Sequence, residues 1–137
     1  MAGEIFIDTS GFYALLVRGD DRHDRARLAM RKAAKKKQRF VTTDYVLDEA
    51  TTLLMARGGS TVIPALFESV SASKACRVVW MDMERFEKTK NLFIKNIDKM
   101  WSFTDCFSFI VMKDLQLRKA LSKDAHFRAA GFIPLLA

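Results

Sequence analysis

The chain alternates short runs of apolar residues with longer segments in which apolar residues recur at helical spacing. Short runs that are rich in β-branched and aromatic residues are typical of buried strands. We predict three strands of this kind, over residues 4–7, 39–43 and 76–80. Two weaker candidates cover residues 119–122 and 132–135.

The segments with helical spacing lie between these runs. They predict helices over residues 44–57, 82–97 and 103–117. The third helix is apolar nearly all round for its first two turns, which indicates a central, buried helix. One face of the second helix carries its apolar residues, as expected of a helix packed on a core: Met83, Phe86, Phe93, Ile94 and Ile97.

Strands that are separated by helices indicate βαβ units, and therefore an α/β fold with a parallel sheet covered by helices on both faces. No internal repeat, Pro-rich tract or Ser/Gly linker interrupts the chain, so we expect one domain over residues 1–137. In open sheets of this kind, ligands bind outside the carboxyl ends of the strands. Reactive residues that follow a predicted strand are therefore the first candidates for a functional site.

The composition favours a polyanionic partner. Half of the 137 residues are hydrophobic and 28% are charged, which is an ordinary globular balance. The formal net charge is +7 and the isoelectric point is near 9.6, so RNA or DNA is the expected kind of partner. Much of the excess charge lies between Arg25 and Arg39, where a solvated helix with cations at its C-terminal end and a surface that holds RNA are equally good interpretations.

The apolar stretches, the N-terminal residues and the cysteines indicate the compartment of the protein. No apolar stretch approaches the ~20 residues that a membrane span needs, and residues 1–4 lack the features of a secretory signal. Cys76 and Cys106 both lie in apolar runs and are interpreted as buried free thiols. We therefore expect a cytoplasmic protein that does not engage a membrane.

Four acidic residues occupy comparable places along the predicted fold. Asp8 directly follows the first strand, and Glu49 lies in the second turn of the helix after the second strand. Asp105 opens the buried helix, and Asp124 follows the weak strand over 119–122. They are 41, 56 and 19 positions apart, so only the fold can bring them together.

Each acid also has a purely structural interpretation. Asp8 and Asp124 are suitable helix N-caps, a role worth ~1 kcal/mol, and Asp105 is a favourable first-turn acid. Glu49 borders the apolar face of its helix, whereas the neighbouring Asp48 lies on the polar side and is interpreted as a surface acid.

If the four acids converge, they would either take up protons or recruit a cation. Two carboxylates ~4 Å apart repel by roughly 4 kcal/mol at an effective dielectric constant of 20. An all-oxygen ligand set selects hard ions such as Mg²⁺ or Mn²⁺ over zinc. Such an ion can lower the pKa of a bound water and clamp the oxygens of a phosphodiester. An acidic pocket on a basic protein therefore predicts a metal-dependent nuclease.

Four segments of the chain resemble a known family in order and spacing. They are IFIDTSGFYALL (5–16), VTTDYVLDEATTLL (41–54), WSFTDCFSFIVMKDLQL (101–117) and ALSKDAHFRAAGF (120–132). Together they are similar to the PIN-domain ribonucleases, in particular to the VapC-type toxins of toxin–antitoxin pairs. The resemblance extends from residue 4 to about residue 135, and SFTD at the start of a helix is its most specific part.

The resemblance carries implications for structure and activity. It implies a three-layer α/β/α sandwich with a central parallel sheet of four to five strands. It implies that Asp8, Glu49, Asp105 and Asp124 hold one or two Mg²⁺ or Mn²⁺ ions and support endonucleolytic cleavage of RNA, with Thr9 or Ser10 in a supporting role. It further implies a homodimer and a cognate antitoxin that blocks the acidic groove.

Other functions fit part of this pattern. One is a catalytically silent PIN-like module that binds RNA or a protein partner, and another is a non-toxin RNA-processing nuclease. A DNA-directed metal nuclease is disfavoured because the chain is small for strand-threading elements. Neither His23 nor His126 is predicted to be catalytic; His126 is expected along a short helix, exposed or packed.

Overall fold

A five-stranded, all-parallel sheet forms the centre of the protein. The computed structural model describes residues 3–71 and 74–137, so Met1, Ala2, Ala72 and Ser73 lie outside it. The strands are ordered β3-β2-β1-β4-β5. Their bounds confirm all three predicted strands and both weaker candidates: β1 Ile5–Ile7, β2 Phe40–Thr43, β3 Cys76–Val79, β4 Lys119–Leu121 and β5 Ile133–Pro134.

Helices flank this sheet and confirm the α/β fold class. In the described part of the chain they are α1 Thr9–Leu16, α2 His23–Lys35, α3 Asp44–Ala56, α4 Ile63–Ser71, α5 Met83–Lys95, α6 Phe103–Asp114 and α7 His126–Ala129. The three predicted helices are present, each ending one to three residues early. Short 3₁₀ turns over Ser60–Val62 and Ile97–Lys99 complete the elements. None of the described helices is long and apolar enough to cross a membrane.

The hydrophobic core is formed by the strands together with the buried sides of the helices, and α6 contributes the largest buried segment among the helices. All three residues of β1 are buried, as expected for the central strand of a parallel sheet. The predicted burial of α6 is confirmed, since Cys106, Phe107, Phe109 and Met112 are each at most 4% exposed. The burial of these side chains fixes the position of α6, and therefore of Asp105 in its first turn, relative to the sheet.

The apolar face predicted for the second helix, α5, is only partly buried. Met83, Ile94 and Ile97 are 88%, 60% and 65% exposed. The other two residues of the face pack on Phe103 of α6, since the ring centres of Phe86 and Phe93 lie 5.4 and 5.7 Å from that of Phe103. Because α5 is an outer helix that contacts mainly α6, it can cover only part of its apolar surface.

The two cysteines are free thiols, but only one is fully buried. Cys106 lies in the core, whereas Cys76 at the start of β3 is half-buried. Burial raises the pKa of both thiols to about 11. Both therefore remain protonated at neutral pH and are poor nucleophiles or metal ligands.

Several helices begin at the carboxyl edge of the sheet. Asp8 caps α1 by accepting from the backbone N–H of Gly11, and Thr43 caps α3 by accepting from that of Val46. Ser102 caps α6 in a reciprocal arrangement with Asp105. The caps satisfy backbone donors of the first turns. They also bring the residues of these turns to the edge where ligands of α/β proteins bind.

Close contact between α1 and β4 depends on a glycine. A Cβ atom at Gly11 would overlap the backbone carbonyl oxygen of Leu121 and lie 3.0 Å from a methyl group of Ile7. We expect Gly11→Ala to lower the free energy of unfolding by roughly 2–4 kcal/mol, because backbone atoms cannot yield as a flexible side chain does. Chemical denaturation with constant m-value measures this destabilisation.

The matched control is Gly19→Ala. No atom lies within 4 Å of a Cβ at this position, so the free energy of unfolding of this variant should lie within about 0.5 kcal/mol of the parental value. Equal stability of the two variants would show that α1 does not approach β4 this closely.

Candidate active site

All four predicted acids line one cavity of about 510 Å³ at the carboxyl edge of the sheet. They reach it from the end of β1, the second turn of α3, the first turn of α6 and the loop after β4. The cavity is lined by Asp8, Thr9, Ser10, Tyr13, Arg22, Glu49, Leu53, Arg57, Asp105, Lys123, Asp124 and Ala125. The acids therefore converge as predicted, although Asp8 and Asp124 are separated by 116 positions along the chain.

Asp8 lies at the bottom of this cavity and is 7% exposed. Its Oδ1 accepts from the Ser10 hydroxyl and the Gly11 N–H, both at 2.8 Å, and its Oδ2 accepts from the Ser122 hydroxyl at 2.6 Å. Burial raises the pKa of Asp8 to about 7, although these three hydrogen bonds oppose the shift. Without a cation, the carboxyl group is therefore close to half-protonated at neutral pH.

Glu49 is held by a hydroxyl group from another element. The Thr9 hydroxyl at the start of α1 donates to Glu49 Oε1 at 2.6 Å. This bond ties α1 to α3 and fixes the direction of a long side chain on an otherwise half-exposed residue. Asp48, its neighbour on α3, is exposed as the sequence predicts.

Asp105 serves two purposes at the start of α6. Its backbone N–H donates to the Ser102 hydroxyl at 2.9 Å, and its Oδ2 accepts from the Ser102 N–H at 3.3 Å. Burial, and next the negative charge of Asp124, raise the pKa of Asp105. Asp105 is thus a first-turn acid that stabilises its helix, and its carboxylate also faces the other acids.

Asp124 brings a histidine into the cluster. Its Oδ1 accepts from the backbone N–H of His126 at 2.9 Å. His126 Nδ1 lies 3.5 Å from Asp124 Oδ1 and 3.5 Å from Asp105 Oδ2. No sequence pattern selects His126, because a histidine two residues from an acid on a short helix carries no distinctive signal.

Three hydroxyl residues hold the acids, and two of them were expected. The resemblance implies Thr9 or Ser10 in a supporting role, and both hydroxyls do contact the acids. Ser122 was not expected; it is fully buried and donates to Asp8 while accepting from the backbone N–H of Asp124 at 3.0 Å. The position of Ser122 directly after β4 was the available signal.

Cations line the rim of the acidic cavity. Arg22, Arg57 and Lys123 belong to its lining, and the latter two are exposed. The guanidinium of Arg57 lies over the ring of Tyr13, 5.4 Å from its centre.

By contrast, the basic residues that precede β2 line a separate cavity at the amino edge of the sheet; they are Lys36, Lys37 and Arg39. The C-terminal part of the basic segment over 31–39 therefore lies away from the acids.

The residues of the cavity fit a divalent cation. Three donor atoms, from Asp105, Asp124 and His126, lie within 4.8 Å of one another, and the carboxylates of Asp8 and Glu49 line the same cavity. His126 Nδ1 is shielded from solvent and lies 3.5 Å from one oxygen each of Asp105 and Asp124. A cation would neutralise the repelling carboxylates.

The raised pKa of Asp8 predicts a pH dependence for the metal-free protein. The carboxyl group has a pKa of about 7 when folded against an ordinary value of 3.8. Between these values the unfolded state loses the proton first, so stability should fall as pH rises from about 4 to 7. We expect Asp8→Asn to be more stable than the parent at pH 8 in EDTA, by roughly 4 kcal/mol at most. Thermal melts at pH 5 and pH 8 test this.

Asp48→Asn is the control, because Asp48 is exposed on the helix α3. Its melting temperature should follow that of the parent at both pH values. A melting temperature of Asp8→Asn at or below that of the parent at pH 8 would contradict the burial of an ionisable carboxyl group at this position.

Comparisons with known proteins agree with the fold and the site. The family model described as PIN domain matches residues 5–133. Two curated relatives, both named 23S rRNA-specific endonuclease VapC20, come from Mycobacterium tuberculosis strains CDC 1551 / Oshkosh and ATCC 25618 / H37Rv. Each is 33% identical over 129 residues, which is 94% of this chain and 95% of the relative.

A solved structure gives the same result in three dimensions. The crystal structure of Mycobacterium tuberculosis VapC20, described as a sarcin-ricin loop cleaving toxin, superposes with a TM-score of 0.83 at 32% identity. The match covers 95% of this chain and 97% of that structure. The chain therefore belongs to the PIN-domain family and resembles the VapC toxins within it.

Proposed function

We propose that this protein is a metal-dependent endoribonuclease and the toxin of a VapBC-type toxin–antitoxin pair. The observation that carries the proposal is the convergence of four carboxylates, from four separate elements, on one cavity with a cationic rim. A structural role alone does not require such convergence, because neighbouring carboxylates repel one another. The similarity to relatives named as 23S rRNA-specific endonucleases supports it.

The acids would hold Mg²⁺ or Mn²⁺. We assign Asp8 and Asp105 as the principal ligands, because burial makes both carboxylates depend most on a compensating charge. Glu49 and Asp124 would be the supporting ligands. When bound, the ion would activate water and neutralise the charge that develops on the scissile phosphate.

The remaining residues position these ligands. The hydroxyls of Ser10 and Ser122 and the N–H of Gly11 hold Asp8 in one orientation, and Thr9 does the same for Glu49. Hydrogen bonds of this kind pre-organise a ligand set, so that a metal binds without an added cost of ordering side chains.

The rim would hold the RNA backbone. Arg57 and Lys123 are exposed and line the cavity, so they can contact phosphates of the RNA. Arg22 also lines it, but its guanidinium pairs with Asp21 and donates to the carbonyl oxygen of Leu136. No base-reading motif is visible in the sequence. Because the relative of known structure is described as cleaving the sarcin-ricin loop, we propose this loop of 23S rRNA as the first substrate to test. We therefore also propose a cytoplasmic location, where such a substrate occurs.

We also propose two protein partners. The similarity to VapC toxins supports a cognate antitoxin that covers the acidic cavity. Large apolar side chains that remain exposed on and beside α5, including Trp80, Met83 and Met100, support association into a homodimer. Light scattering of the full chain measures the oligomeric state directly.

Cleavage should require both the metal and the acids. With Mg²⁺ or Mn²⁺ the parent should cut 23S rRNA, and EDTA should abolish the reaction. We expect Asp105→Asn to lower the cleavage rate by about 100-fold or more, because it removes a ligand charge from the site. The measurement is the appearance of RNA fragments on denaturing gels over time.

The control is Asp48→Asn, which removes an exposed acid of α3 and should cleave at the parental rate. Cleavage that survives Asp105→Asn would place the activity elsewhere. A parent that binds RNA equally well in EDTA and never cleaves it would instead identify a catalytically silent PIN-like module.

If Lys123 contacts RNA phosphates, the salt dependence of RNA binding should change when its charge is removed. Lys123→Gln should weaken RNA binding several-fold and reduce the slope of log K against log salt by about 0.7 for each phosphate that the variant no longer neutralises. Lys36→Gln removes the same charge at the opposite edge of the sheet and should leave the slope unchanged. Filter binding at several salt concentrations, with Asp105→Asn as the common background to prevent cleavage, compares the two variants. Equal slopes would contradict the proposed position of the RNA.

A further inference from the structure

The environment of His126 is unusual for a residue on a short surface helix. Its side chain is 41% exposed, yet Nδ1 is shielded from solvent. This nitrogen lies 3.5 Å from one oxygen of Asp105 and 3.5 Å from one oxygen of Asp124, so both carboxylates are within ion-pairing distance but beyond the usual length of a hydrogen bond. Two carboxylates held around one nitrogen in this way require an explanation.

We infer that His126 is a nitrogen ligand of the metal, which makes the centre a mixed carboxylate–imidazole site and not an all-oxygen one. The inference rests on the proposed function, since it concerns the ion that the four acids would hold. It adds a residue that neither the sequence pattern nor the acidic cluster identifies by itself.

The spacing of the three donor atoms supports this assignment. Two ligand atoms that each lie about 2.1 Å from one ion are about 3.0 Å apart at a right angle and about 3.6 Å apart at 120°. The observed separation of 3.5 Å falls in this range, and all three donor atoms lie within 4.8 Å of one another. Hydrogen-bonded pairs are typically closer, at roughly 2.7–3.2 Å. The atoms are spaced as ligands around a shared ion.

The local backbone holds the imidazole in this position. His126 is the first residue of α7, and its N–H donates to Asp124 Oδ1 at 2.9 Å. The side chain of Phe127, the next residue, is fully buried in the core and anchors the helix. Asp124 and His126 therefore form one pre-organised unit beside Asp105.

A nitrogen ligand would change the choice of ion. Mg²⁺ strongly prefers oxygen ligands, whereas imidazole favours transition metals, for which affinity rises from Mn²⁺ through Co²⁺. We therefore expect the site to bind Mn²⁺ more tightly than Mg²⁺. We also expect this preference to depend on His126 and not on the acids.

The competing explanation gives the opposite result. If the imidazole were an internal cation that neutralises Asp105 and Asp124, it would compete with the metal. Its removal would then strengthen Mn²⁺ binding. Removal of a ligand, by contrast, must weaken Mn²⁺ binding.

The experiment uses Mn²⁺ as the probe on the full chain. Pulsed electron paramagnetic resonance of the Mn²⁺-loaded parent should show coupling to a directly bound nitrogen. His126→Gln should abolish that coupling and weaken Mn²⁺ binding about tenfold by calorimetric titration, while Mg²⁺ binding changes less than about threefold. The matched control is His23→Gln, which should retain the coupling, since His23 Nδ1 lies 2.7 Å from the carbonyl oxygen of Ala14 outside the acidic cavity.

The possible results distinguish a failure of the role of His126 from a failure of the proposed metal-dependent function. Both variants must first melt like the parent. Mn²⁺ that binds without nitrogen coupling, or that binds His126→Gln as tightly as the parent or more tightly, would overturn the role of His126 and leave the proposed function intact. A parent that binds neither Mn²⁺ nor Mg²⁺ would overturn the proposed metal-dependent function as well.

Discussion

Burial of the Asp8 carboxyl group at the end of the central strand is the constraint on which the rest of the site depends. A buried carboxylate is unfavourable unless hydrogen bonds or a cation compensate it. Here the compensation comes from α1 through Ser10 and Gly11 and from the end of β4 through Ser122. These bonds require α1 and β4 to lie in direct backbone contact, which only a glycine at position 11 allows.

The distribution of charge follows from the same constraint. In a protein of net charge +7, four of the sixteen acidic residues line one cavity together with Arg22, Arg57 and Lys123. The cations can attract a polyanion, while the acids provide ligands for a divalent ion. Neither feature alone would identify a nuclease, because basic surfaces and acidic clusters each occur for other reasons. Their combination in one cavity is what supports the proposed chemistry.

Sequence patterns predict secondary structure and burial correctly where the environment of a residue depends on its neighbours along the chain. The strands, the buried helix α6 and the exposed position of Asp48 follow from local apolar patterns. The pattern was misleading for part of α5, because an apolar face predicts burial only if another element covers it, and the outer position of α5 leaves Met83 and Ile94 exposed. The basic segment over 31–39 was a candidate for holding RNA on charge alone, whereas its residues 36–39 enter β2 from the opposite edge of the sheet.

The sequence by itself determined the fold class and the four candidate acids. Three of them follow or open a recognisable element, Glu49 lies in the second turn of the helix after β2, and the order of these elements in a parallel sheet brings all four to one edge. Only the tertiary structure decided how those acids are held and what joins them. Ser122 and His126 carry no pattern of their own, and their roles arise from distances of 2.6 and 3.5 Å to residues that other parts of the chain supply. Such contacts depend on the packing of α6 and α7 against the sheet, and packing is a property of the whole chain that local periodicity does not encode.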